Sequence, residues 1–253
     1  MERQDCKHLY VRFKPKKISD FFGIEYLHKR IKYLIDHYPM KILISGIYGS
    51  GKTSLAEAIL MRMHCEQPNG LDACRECYTC KLLINTPWWE HCDTHSAQGL
   101  DRQELQRISD SLIMSSTFVR DRTLFLDDLD LMQPSLNLNV LEIMNQYDFR
   151  PMIFTVTDHT ILPDPLLQRC YHLHIRPYSI EALSEWIRKI CSEIGVEIES
   201  NEALEQLIHK GNSNPRILSN ILEELYAKQA TVNIENVNTE ELNDLVNMLR
   251  GDS

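Results

Sequence analysis

A chain of 253 residues, 43% hydrophobic and 25% charged, can bury one large core and a smaller second one, and its make-up is that of an ordinary globular protein. A net charge of −9 argues against coating nucleic acid through bulk positive charge, while leaving room for a local basic face. No apolar run approaches the roughly 20 residues needed to span a bilayer, so no membrane partner is expected.

The first twenty residues are basic but lack a continuous apolar segment, and no secretory leader is expected there. Arg12 to Lys17 form a proline-broken arm, and the chain then turns into a helix expected over 25–37. A solvated arm is the plainer reading. Its place ahead of a glycine-rich loop makes Phe21, Phe22 and Gly23 candidates to wall a nucleotide base.

Ile42, Leu43 and Ile44 read as a buried strand. The strand stops at Gly46-Ile47-Tyr48-Gly49-Ser50-Gly51-Lys52-Thr53, which fits G-x-x-x-x-G-K-[ST], and a helix is expected over 54–60. Glycines let the backbone curl so that its N–H groups point at phosphate oxygens. The helix adds unpaired N–H groups and the positive end of its dipole. Gly46, Gly49, Ser50, Gly51, Lys52, Thr53 and Ser54 are therefore the expected phosphate-binding positions for a nucleoside triphosphate. Lys52 is suited to the β- and γ-phosphates and the Thr53 hydroxyl to Mg²⁺.

Cys65, Cys74, Cys77 and Cys80 follow within sixteen residues, with Pro68, Asn69 and Gly70 supplying turn chemistry between them. Four thiols at this spacing suit a closed tetrahedral Zn²⁺ site, structural because no position is left for water; free surface thiols are the alternative. Eight cysteines in a nucleotide-binding chain point to a reducing compartment, and a cytoplasmic location is expected.

Trp88 to Asp93 read as a strand, and 99–114 as a helix with Leu105, Ile108, Leu112 and Ile113 on one face. His91 and His95 receive no role. An apolar strand over 122–128 ends in Asp127 and Asp128. At that place Asp127 fits the Mg²⁺ shell and Asp128 fits the orientation of an attacking water. A helix is expected over 136–144 and a buried strand over 152–156, after which Thr157 sits where its hydroxyl could meet the γ-phosphate or the water. Arg169 precedes an alternating strand over 171–175.

From Pro177 the pattern is purely helical. Ser179 and Gly195 bracket one helix, Ser200 and Gly211 a second, Asn214-Pro215 opens a third, and Thr239 to Gly251 bound a fourth. The expected organisation is an α/β phosphate-binding domain over 1–176, with the cysteine insert at 65–80, and a small all-helical lid over 177–253.

Taken together, the arm at 12–25, the phosphate loop, the cysteine insert directly after the loop helix, the Asp pair and Leu-x-x-Arg169-Cys170 resemble the AAA+ ATPases. Within them they resemble the bacterial clamp-loader subunits of the gamma/tau and delta-prime type. The resemblance implies ATP, Mg²⁺ and Zn²⁺ as cofactors, with the nucleotide between the α/β domain and the lid. Asp127 and Asp128 become the Walker B pair and Thr157 the first sensor. Arg169 becomes an arginine finger toward a neighbouring subunit, and Arg216 the second sensor; an arginine suits both because it is always charged and forks onto phosphate oxygens. Implied partners are other AAA+ subunits in ATP-dependent assemblies, and DNA or a DNA-bound protein. This sequence differs from the family pattern in having Asp128 for a glutamate, Gln168 before Arg169 in place of serine, and no Lys or Arg over 131–149. With the sequence read to residue 253, the expectation is a subunit without the collar that follows the lid in the resembled family. The alternative reading is a slowly hydrolysing, nucleotide-gated scaffold that recruits partners, as in transposition, phage defence or another regulatory complex.

Overall fold

A computed structural model describes residues 8–37, 40–85, 93–113 and 122–250. They form two compact units. One comprises residues 8–14, 48–50 and 177–250, and the other 15–47 and 51–176 among those described.

In chain order the elements are α1 (Leu9–Arg12), α2 (Glu25–Asp36), β1 (Lys41–Ser45), α3 (Lys52–His64), α4 (Tyr78–Asn85), β2 (Asp93–Ser96), α5 (Arg102–Ile113), β3 (Leu124–Asp127), α6 (Asn137–Gln146), β4 (Met152–Val156), α7 (Asp164–Leu167), β5 (Tyr171–His174), α8 (Ile180–Ile194), α9 (Asn201–Lys210), α10 (Pro215–Ala227), α11 (Ile234–Val237) and α12 (Glu240–Arg250). Short 3₁₀ turns lie between several of them.

The larger unit is built on a five-stranded parallel sheet in the order β2-β3-β4-β1-β5. β1 and β4 are central and buried along their whole length, which is why Ile42-Leu43-Ile44 and Met152-Ile153-Phe154 read as short apolar runs instead of alternating ones. β5 is an edge strand: Leu173 is buried, His172 is half-buried, and Tyr171 and His174 are exposed, so the expected alternation of buried and exposed residues is not seen there. The core on one side packs Leu105, Ile108 and Leu112 of α5 and Val140, Ile143 and Met144 of α6 against Leu126 and Phe154. Each such side chain contributes about 1.5–3 kcal/mol by leaving water.

The strand expected from Trp88 is described only from Asp93; Trp88 to Cys92 lie outside the described residues, as does Met114 at the end of the expected helix. The loop helix α3 runs beyond the expected 54–60 on both sides, so that Cys65 stands immediately after its last residue. No helix is expected from the sequence at α4, which carries Cys80.

The smaller unit is helical. Ser179 Oγ accepts from the Ala182 amide at 3.2 Å, and Ser200 Oγ from Ala203 at 3.1 Å. Asn214 Oδ1 accepts from Arg216 at 3.0 Å and Ile217 at 3.4 Å, ahead of Pro215 at the first helical position. Caps of this kind are worth about 1 kcal/mol each. Gly195 ends α8 at φ +76°, in the left-handed region that costs glycine nothing. Ile187, Ile190, Leu207, Leu218 and Leu222 lie in the buried core of this unit. α1 lies against α10, with Glu223 accepting from the Leu9 amide at 3.2 Å.

Candidate phosphate-binding site and cysteine centre

The parallel order of the sheet decides which carboxyl ends meet. β1 lies between β4 and β5, and β3 lies on the far side of β4, so residues just past β1, β3 and β4 converge. After β1 the chain curls through its glycines into α3. Gly49 has φ +77° and Gly51 φ +91°, conformations open to glycine without steric cost, and Gly51 forms the N-terminal cap of the helix.

Lys52 is 5% exposed. Its ammonium donates to Gly46 O at 3.0 Å, Ile47 O at 3.2 Å and Thr157 Oγ1 at 3.0 Å. These oxygens satisfy a cation that burial would otherwise penalise heavily. Next along α3, the Thr53 hydroxyl lies 3.0 and 2.9 Å from the two oxygens of Asp127, to which it donates. Thr155 Oγ1 also donates to Asp127, at 2.5 Å, and accepts from the Asp128 amide at 2.8 Å. A hydroxyl and a carboxylate held in contact at the end of a buried strand form a pair of hard oxygen donors that fits Mg²⁺.

Asp128 has φ +53° and ψ +54°. Aspartate tolerates this left-handed geometry better than most residues, and here it turns the chain sharply out of β3. Two residues on, Asp130 Oδ2 accepts from the amides of Thr157 at 3.1 Å and Asp158 at 3.3 Å. The sequence reading assigned nothing to Asp130 or Thr155.

Arg169 follows α7. Its Nε donates to Asn145 Oδ1 at 3.0 Å and its Nη1 to Pro165 O at 3.1 Å, so its own unit holds the guanidinium. Within the smaller unit, Arg216 Nη1 donates to the Tyr48 hydroxyl at 2.7 Å, and its guanidinium carbon lies 4.9 Å from the Tyr48 ring centroid. Asn214 Nδ2 donates to Tyr48 O at 2.7 Å, and Tyr178 donates to Ser50 O at 2.7 Å. A β-carbon on Gly49 would lie 2.3 Å from Asn214 Oδ1, so a side chain has no room there. Phe21 is 3% exposed and packs in the core, Phe22 and Gly23 are half-buried, and the Gly23 amide donates to Glu25 at 3.1 Å.

The four cysteines converge in the larger unit. Their sulfurs all lie within 4.8 Å of one another, with Cys65–Cys74 at 3.4 Å and Cys74–Cys80 at 4.0 Å. Four sulfurs about 2.3 Å from a tetrahedral Zn²⁺ stand about 3.8 Å apart, so the donor set fits that ion. Backbone amides of Glu76 and Cys77 donate to Cys74 Sγ and hold its thiol down to about 6, which favours the thiolate a metal requires. Burial pushes the Cys65 and Cys80 thiols up. Met61, Ala73 and Leu83 pack around Cys77 and Cys80, while Asp72 accepts from the Ser19 amide and hydroxyl and Arg75 donates to Lys16 O. The insert is thereby tied to the segment that precedes β1.

The family profile described as DNA polymerase III, delta subunit, matches residues 24–179, more than half of the chain. The chain belongs to that family. Its fold is that of a clamp-loader-like AAA+ protein: a parallel five-stranded sheet with flanking helices, a cysteine cluster and a helical C-terminal region. It is 20% identical over 236 residues to the DNA polymerase III subunit gamma/tau of Mycoplasma pneumoniae, covering 91% of this chain and 34% of that protein. It is 24% identical over 210 residues to the replication factor C small subunit of Haloarcula marismortui, covering 81% of this chain and 58% of that protein. Among solved structures, the Thermotoga maritima RuvB Holliday junction branch migration motor matches with a TM-score of 0.64 and 19% identity, over 89% of this chain and 70% of that one. The chain spans 34% and 54% of the length of the first two curated relatives it matches.

Proposed function

We propose that this chain is a clamp-loader-type AAA+ ATPase that binds ATP with Mg²⁺, hydrolyses it slowly, and works with other AAA+ subunits on DNA or a DNA-bound protein. The observation that carries the reading is the contact of Thr53 with Asp127 beside Lys52 with Thr157. It brings the hydroxyl and carboxylate suited to Mg²⁺ next to the buried cation suited to the β- and γ-phosphates.

In this reading Gly46, Gly49, Ser50, Gly51, Lys52, Thr53 and Ser54 bind the phosphates, and Phe22 and Gly23 border the base. Mg²⁺, when bound, would neutralise charge developing on the phosphates. Asp127 and Thr53 supply its protein oxygens, Asp128 orients the attacking water, and Thr157 senses the γ-phosphate. Arg169 acts on the nucleotide of a neighbouring subunit and Arg216 is the second sensor. Cys65, Cys74, Cys77 and Cys80 hold a structural Zn²⁺. Residues 1–176 form the ATP-binding domain and 177–253 the lid, in a cytoplasmic protein; no helix among the described residues is long and apolar enough to cross a membrane.

The slow-scaffold reading is favoured by one observation. An aspartate at 128 carries its carboxylate one methylene closer to the backbone than a glutamate would. Calorimetry with a non-hydrolysable ATP analogue, with and without Mg²⁺, tests binding, and turnover with and without primed DNA separates the two readings. Absence of nucleotide binding by the wild type overturns both.

A further inference from the structure

The end of β4 is held by a side chain for which the phosphate site has no assigned use. The left-handed turn at Asp128 redirects the chain as it leaves β3, and Leu129, 1% exposed, anchors the 3₁₀ turn that follows. The Leu131 amide donates to Asp128 O at 2.9 Å and tightens that turn. Asp130 is thereby brought to β4, where Oδ2 accepts two successive amides, those of Thr157 and Asp158. Its other oxygen, Oδ1, is buried and accepts no hydrogen bond from the described residues. A carboxylate that captures two adjacent backbone amides fixes the backbone between them, and charge-assisted bonds of this kind are among the stronger ones available. The residue so fixed is Thr157, whose hydroxyl is 3.0 Å from the Lys52 ammonium.

We infer that Asp130 is a positioning residue for the phosphate site, holding the end of β4 so that the Thr157 hydroxyl stays aligned with Lys52. The inference rests on the proposed ATP-binding function and deepens it. Asp130 touches no reacting atom in this role; it acts through Thr157. Two consequences follow. Removing Asp130 should harm what Thr157 does, and in a protein already lacking the Thr157 hydroxyl it should harm nothing further. Asparagine should rescue, because its amide oxygen can take the place of Oδ2 while its NH₂ group occupies the place of Oδ1.

The experiment compares wild type, Asp130→Ala, Asp130→Asn, Thr157→Ala and the Asp130→Ala/Thr157→Ala double variant. Each is measured for kcat and for the dissociation constants of ADP and a non-hydrolysable ATP analogue. We expect Asp130→Ala to keep ADP affinity within about threefold and to lose on the order of tenfold or more in kcat, the scale of hydrogen bonds to a charged group. Its preference for the triphosphate over ADP should fall to that of Thr157→Ala, and the double variant should match Thr157→Ala within about twofold. Asp130→Asn should recover most of the loss, and serves as the test if the alanine variant does not fold. A merely structural role would lower both affinities and the melting temperature together, with additive effects. Additive losses in the double variant, or an asparagine variant as impaired as alanine, overturn the inference while leaving ATP binding intact. A wild type that binds neither nucleotide overturns the proposed function and this inference with it.

Discussion

Lys52→Ala removes the only cation from residues 46–53. In the structure that ammonium donates to three oxygens and is 5% exposed, so its position is set before any phosphate arrives. Exchanging two of those acceptors for phosphate oxygens is worth about 1.5–3 kcal/mol per charge-assisted bond. Losing both costs about 3–6 kcal/mol, which is about two to four orders of magnitude in Kd. The fold should tolerate the change. Three oxygens lose a donor at about 1 kcal/mol each, partly offset because an ammonium no longer has to be buried, so the melting temperature should fall by a few degrees only. Calorimetric titration of the folded variant with a non-hydrolysable ATP analogue and Mg²⁺ reads the outcome. A Kd within about threefold of wild type, in a variant with a native circular dichroism spectrum, would refute the assignment of this loop to phosphate.

The purified protein should carry about one Zn²⁺ per chain, and Cys77→Ser should lose it together with stability; four freely titratable thiols and no metal by elemental analysis would refute the site. Asp128→Glu should raise turnover, by up to about a hundredfold if aspartate holds the water on the order of 1 Å out of line, and Asp128→Asn should trap ATP. A glutamate variant slower than wild type shows that the site is built for aspartate. Arg169→Ala should still bind ATP while losing about a thousandfold in turnover. Mixing it with Lys52→Ala should restore part of that turnover, because one variant supplies the arginine and the other the intact nucleotide site; normal hydrolysis by Arg169→Ala alone would remove the residue from the chemistry.

What could be read in the sequence was local. The loop at residues 46–53 carries its chemistry in consecutive residues, and Ser179, Ser200 and Asn214 cap helices through amides two or three residues away. The cysteines announce themselves by spacing, and the central strands by short, mostly apolar runs. In each case the interacting groups are neighbours along the chain, so side-chain type and period are enough to place them. The contacts that make a site of these pieces are not local. Parallel strands cannot be joined by a tight turn, so β1 and β4 are neighbours in the sheet yet far apart in sequence. Lys52 meets Thr157 across 105 positions, and Thr53 meets Asp127 across 74. Asp130 carries no signal of its own in the sequence; the left-handed backbone at Asp128 brings it under the amides of Thr157 and Asp158. Tyr48, an unassigned position inside the loop motif, holds Arg216 from 168 residues away. No periodicity or spacing encodes such pairs, because the order of strands in the sheet and the direction of each turn decide which strand ends converge.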